Sequence, residues 1–133
     1  MRRLMPIILA ALLLAATACA GKEPPAPTIK AGETLVPAVL STHCWTTRCA
    51  DYPEPPSQLR AEGYHPVAVQ GGTTLSVTWP TRPIEAITIH QWDGSKATPA
   101  SLAVPTAPGT YTYSVGARWK QGSAIYFFQV EVK

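Results

Sequence analysis

"GTYTYSVGARWKQGSAIYFFQVEVK", residues 109–133, carries two runs of strict alternation around a short polar break. In the first run Tyr111, Tyr113, Val115, Ala117 and Trp119 fall on one side of an extended chain. In the second, Tyr126, Phe128, Val130 and Val132 do the same. Side chains of a strand point alternately to opposite faces, so each run builds one aromatic and branched-aliphatic face. A turn near Gln121-Gly122 joins them, and the pair is expected to form a hairpin with that face buried. Ile125 and Phe127 point the other way, so part of the second face is apolar too.

Moving outward, the rest of the chain has the same texture. Its 14 prolines and the absence of any long 3.6-residue apolar period argue against helices. Leu35 to Trp45 supplies one or two strands around Pro37, and Val67 and Val69 begin another. In TTLSVTW, Leu75, Val77 and Trp79 share a face. Ile87 and Ile89 mark a strand closed by the Asp93-Gly94 turn, and Ser101 to Val104 is a weaker one. Ser57 to Gly63 reads as a single helical turn, with Ser57 as N-cap and Gly63 as stop. The expected fold is all-β, about seven short strands in two packed sheets. Gly109-Thr-Tyr-Thr-Tyr113 resembles the tyrosine corner of immunoglobulin-like domains, with Tyr111 in the corner role and Tyr113 where those domains place a cysteine. No inter-sheet disulfide is then available. The core falls to aromatics: Trp79, Tyr111, Tyr113, Trp119, Tyr126 and Phe128.

The N-terminus addresses location. MRR precedes an uncharged, Leu/Ile/Ala-rich run from Leu4 to Ala18, the pattern of a signal peptide and too short for a spanning helix. Ala16-Thr17-Ala18-Cys19 resembles the bacterial lipobox, with Ala16 where Leu is usual. That resemblance implies cleavage after residue 18, a diacylglycerol on Cys19 and attachment to the outer face of the cell membrane. Residues 19–33, rich in Pro, Ala, Gly and charge, read as a tether, and residues 34–133 as one domain. Of the 11 Lys and Arg, Arg2 and Arg3 lie in the leader, so nine remain against 8 acidic residues. This near-neutral balance gives no footing for nucleic acid.

THCWTTRCADYP, residues 42–53, holds Cys44 and Cys49. A zinc site wants a second ligand cluster, and a thioredoxin-type pair has two intervening residues rather than four. In an exported chain the expectation is a disulfide. Bridging it requires the chain to reverse through Trp45-Thr46-Thr47-Arg48, because bridged cysteines sit about 5–6 Å apart at Cα. A loop this small stabilises by only about 2 kcal/mol.

Taken with the lipobox, the Thr-His-Cys-Trp stretch, DYPEPPSQL and the terminal Gly-x-Tyr-x-Tyr…Trp…Gly…Tyr-x-Phe segment resemble a group of small secreted lipoproteins of Gram-positive bacteria with an immunoglobulin-like domain. The resemblance implies location and fold, supports the Cys44–Cys49 pairing, and implies no chemistry. PGTYTY also resembles the penultimate strand of cupredoxins, but no Cys or His follows His90 to bind copper.

No catalytic constellation stands out: there is no Gly-x-Ser-x-Gly elbow, the eight acidic residues are dispersed, and no helix pattern follows Gly71-Gly72. A non-catalytic binding or accessory module without cofactor or metal is the expectation, with a secreted protease inhibitor presenting the Cys44–Cys49 loop, or a small envelope enzyme, as alternatives. Trp45, Arg48 and Trp92 are the expected recognition patch for a cell-wall glycan or envelope protein. The final strand is a candidate edge for strand addition by a partner.

Overall fold

A computed structural model describes residues 23–85 and 88–133. The leader, Cys19 and Ile87 lie outside the described residues. In chain order the elements are β1 (Thr28–Ala31), β2 (Thr34–Val36), β3 (Val39–Trp45), β4 (Arg48–Ala50), α1 (Pro55–Ala61), β5 (Val67–Val69), β6 (Leu75–Thr78), β7 (Thr88–Asp93), β8 (Lys96–Pro99), β9 (Gly109–Trp119) and β10 (Gly122–Val132).

The hairpin expected from the terminal run is β9–β10, in register from Gly122↔Trp119 to Val132↔Gly109 across a two-residue turn. It is the spine of the large sheet, ordered β4-β3-β10-β9-β7-β8. β10 has β9 along one side. Its other side is shared between β3, antiparallel to the first half, and β5, parallel to the last residues. The small sheet runs β2-β1-β6. Segment 102–104 extends it: Leu75 N donates to Leu102 O and Val104 N to Thr73 O, around the Thr74↔Ala103 bridge.

This is an all-β sandwich with the immunoglobulin arrangement. β1, β6 and segment 102–104 form one sheet, and β7, β9 and β10, flanked by β8, form the other. The corner is present: Tyr111 Oη donates to Ala107 O at 2.6 Å, four residues upstream at the entry to β9. Of the expected strands, Leu35 to Trp45 gives β2 and β3, Val67 and Val69 give β5, TTLSVTW gives β6, the Ile89 segment gives β7 and the terminal run gives β9 and β10, while 102–104 makes a bridge. β1, β4 and β8 are additional, and β2 to β5 with α1 lie between β1 and β6.

The insertion and the early start of β1 correct two expectations. The tether does not extend to residue 33, because Ile29 alternates inward with Ala31 and is only 1% exposed. An apolar side chain pays for ordering a short strand when it enters the core, whatever the composition around it. Nor is the last strand an edge: β10 is the most enclosed in the sheet. The exposed edges include β8, Lys96-Ala-Thr-Pro99, whose Lys and Pro discourage pairing with another chain.

The core lies between the sheets. Ile29, Val36, Leu75 and Val104 meet the aromatic face of β9–β10, where Tyr113 and Phe128 stack at 5.3 Å. Tyr113, Trp119, Tyr126 and Phe128 are fully buried, as expected, while Trp79 and Tyr111 are half-buried against them. Trp79 packs edge-on against both Trp119 (5.0 Å) and Tyr126 (5.8 Å). Glu54 rather than Ser57 stands at the N-cap position of the short helix, without a side-chain capping bond. Ser57 Oγ donates to the Glu54 carboxylate at 2.6 Å, which holds that carboxyl below its ordinary range.

Candidate functional site

The cysteine stretch forms a small hairpin. β3 and β4 pair with Cys44 opposite Cys49 and Trp45 opposite Arg48, and the disulfide closes across them. The reversal runs through Thr46-Thr47, and Thr46 takes a φ of 56°. A β-branched residue in this region is strained, yet the first central position of a tight hairpin turn requires that sign. Three constraints hold it: the bridge, Thr46 N donating to Gln121 O (2.8 Å), and Thr46 Oγ1 donating to Trp45 O (2.7 Å). The Gln121 bond ties this tip to the β9–β10 turn. Gly122 makes the approach feasible, since a Cβ there would overlap the Cys44 carbonyl.

The expected patch of Trp45, Arg48 and Trp92 is not assembled. Trp45 points into the core, 4% exposed, with its ring edge-on to Trp119 at 5.7 Å. Alternation along β3 explains this: two positions of seven are buried, and Trp45 is one of them. Trp92 lies on β7 opposite Thr112 and sits on the outer face of the large sheet, away from the core. Its Nε1 donates to Ser114 Oγ (2.8 Å) and its ring meets Phe127 at 5.9 Å. Arg48 is exposed at the hairpin tip. It is paired in a strand next to a two-residue turn, not carried on an extended loop of the kind a protease cleft grips.

What the structure does present is the outer face of β7–β9–β10. Trp92, Phe127 and Ile125 form an apolar line there, with Thr112 and Ser114 buried beneath Trp92 and Gln129; Gln129 Nε2 donates to Thr112 Oγ1 at 3.0 Å. At one end of this line lies a shallow depression of about 260 Å³, bordered by Thr88, Gly116, Ile125 and the Arg118–Glu85 ion pair (2.6 Å). Gly116 forms its floor: a Cβ there would come within 2.8 Å of Thr88 Oγ1. A glycine inside a long strand is a position where something approaches closely. Its signal in the sequence is a Gly between Val115 and Ala117 in an otherwise continuous strand pattern, a position absent from the expected site residues.

The histidines stay apart in role. His43 Nδ1 lies 2.7 Å from Ser41 O and its ring stacks near Tyr52, His65 is exposed, and His90 sits mid-strand in β7. Among the described residues no three His, Cys, Asp or Glu side chains converge as metal ligands, and no helix is long and apolar enough to cross a membrane.

The fold and this surface define an immunoglobulin-like sandwich with an inserted disulfide hairpin and one patterned sheet face. Compared with known protein families, curated proteins and solved structures, the chain matches none.

Proposed function

We propose that the protein is an exported lipoprotein, anchored through Cys19 to the outer face of the cell membrane, that acts as a non-catalytic binding or accessory module of the cell envelope. The observation that carries the location is the Cys44–Cys49 bridge, whose cysteines are both exposed at the rim of the sandwich. An exposed disulfide persists outside the cytoplasm and is reduced within it. It accords with the leader and the lipobox-like Ala16-Thr17-Ala18-Cys19.

The binding surface in this reading is the outer face from Trp92 to Ile125, not the Trp45–Arg48–Trp92 patch. Ile125 is 38% exposed in the middle of an ordered strand, next to a depression kept open by glycine. Its partner is a cell-wall glycan or an envelope protein. A photoreactive residue at Ile125, with a second at Lys96 as control, tests this in intact cells. A specific adduct from position 125 alone supports the reading, and a glycan or protein adduct names the class. Equal labelling from both positions, or none from 125, contradicts it.

A further inference from the structure

The end of the sandwich nearest the proposed anchor is cationic, and the chain leading to it is short. Pro24 is buried and its carbonyl accepts a hydrogen bond from Tyr126 Oη at 3.1 Å. The polypeptide is therefore already docked five residues after Cys19. Five extended steps span at most about 18 Å. Downstream of Pro24 the chain enters β1 from the same end, because Thr28, the first residue of β1, pairs with Thr78, the last of β6.

Several segments converge there. Trp119 Nε1 donates to Thr81 O (2.9 Å), Ile84 N donates to Arg118 O (2.8 Å), and the β3–β4 tip bonds the β9–β10 turn through Thr46 and Gln121. Arg48, Arg82, Arg118 and Lys120 are all exposed on these segments. Glu85 offsets Arg118 and Glu23 lies near Tyr126, but among the described residues no acidic side chain bridges Arg48, Arg82 or Lys120. Ile84, 63% exposed, lies beside Arg118 along β9 at the same end. The β9–β10 turn lies four strand residues beyond Tyr126, about 13 Å, which is close to the reach of the linker.

We propose that this end, which carries Arg48, Arg82, Lys120 and Ile84, docks on the phosphate headgroups of anionic phospholipids and holds the sandwich against the membrane instead of letting it swing on a tether. The proposal rests on the anchorage through Cys19. A juxtamembrane cation gains from the negative surface potential only within about a Debye length, roughly 8–10 Å, and the linker is of the right length to let these side chains reach that range. The apolar Ile84 suits the headgroup boundary, and the outer face around Ile125 is left accessible to a partner.

The test uses the chain from residue 19 with Cys19→Ser, which keeps every strand and carries no lipid. Its co-sedimentation is measured with phosphatidylcholine vesicles with and without phosphatidylglycerol. Preference for the anionic vesicles, weakened by salt and by about fivefold for each of Arg48→Gln, Arg82→Gln and Lys120→Gln, supports the proposal. Lys96→Gln with Lys133→Gln, at the opposite end, is expected to change nothing. No preference for anionic vesicles, or an equal loss in the opposite-end variant, overturns it. Thermal unfolding of each variant confirms that the fold is kept. Lipidation is read separately by intact mass: a lipidated chain without this preference overturns the docking alone, and an unlipidated one overturns the anchorage.

Discussion

The hydroxyl of Tyr126 donates to the carbonyl of Pro24 across 102 residues of sequence, joining the middle of the last strand to the segment before the first. Together with the pairing of β1, that bond makes most of an apparent tether part of the domain. It also sits under buried aromatic rings, and burial, aided by the nearby Glu23 carboxylate, pushes the Tyr126 phenol up to about 12.

A pH dependence follows from that shift. The phenol ionises near 10 in the unfolded chain and near 12 in the folded one, so between these values the unfolded state holds fewer protons. Stability is full below pH 10 and falls as pH rises toward 12. Tyr64 and Tyr113, also raised by burial, add in the same direction. Thermal melts across this window are expected to show the loss, and Tyr126→Phe to shrink it while lowering stability at neutral pH by about 1 kcal/mol. A flat profile from pH 10 to 12 would remove the buried-phenol explanation.

Tyr111→Phe deletes only the hydroxyl that reaches Ala107. The expected result in urea titration is a midpoint lowered by about 1 kcal/mol of stability with an unchanged slope, because the sheets stay intact. A neutral result would mean that the corner bond contributes nothing beyond what water supplies.

Trp45→Ala removes a fully buried ring from the Trp45–Trp119–Trp79 edge-on series. It is expected to cost about 3–5 kcal/mol. Trp92→Phe keeps an aromatic ring against Phe127 and gives up the bond to Ser114, so about 1 kcal/mol is expected. If denaturant unfolding ranked the two the other way, the assignment of Trp45 to the core would be wrong.

Two substitutions probe the hairpin junction in opposite directions. Gly122→Ala forces a methyl onto the Cys44 carbonyl and is expected to destabilise by more than 2 kcal/mol, since both neighbours are backbone. Thr46→Gly relieves the positive φ at the tip and is expected to stabilise by about 1 kcal/mol. Calorimetry of both variants with the disulfide intact reads the two signs directly.

Much of this architecture is legible in the sequence. Period-two alternation over 109–133 specified the central hairpin and its buried face, because strand side chains must alternate and aromatic rings seek the interior. Tyr111 announced the corner by its local phrase. β1 stayed hidden because four residues, Thr28 to Ala31, carry too little pattern to rise above a proline-rich setting, and only the facing β6 reveals their register. β5 was read as a strand, but its parallel pairing with β10 depends on a long-range return that local sequence does not encode. At the candidate site the error was specific. Trp45 beside cysteines and a turn suggested exposure, whereas its place in the alternation of β3 put it inside. Gly116 was visible but carried no meaning until Thr88 was found beside it.

Export and lipid anchorage are tested at once by intact-mass spectrometry of the protein extracted from the membranes of cells that make it. The predicted species lacks residues 1–18, carries a diacylglyceryl group on Cys19, and is lighter by the two hydrogens lost when Cys44 and Cys49 join. A full-length chain from the soluble fraction, with its leader retained and both downstream thiols free, would contradict it.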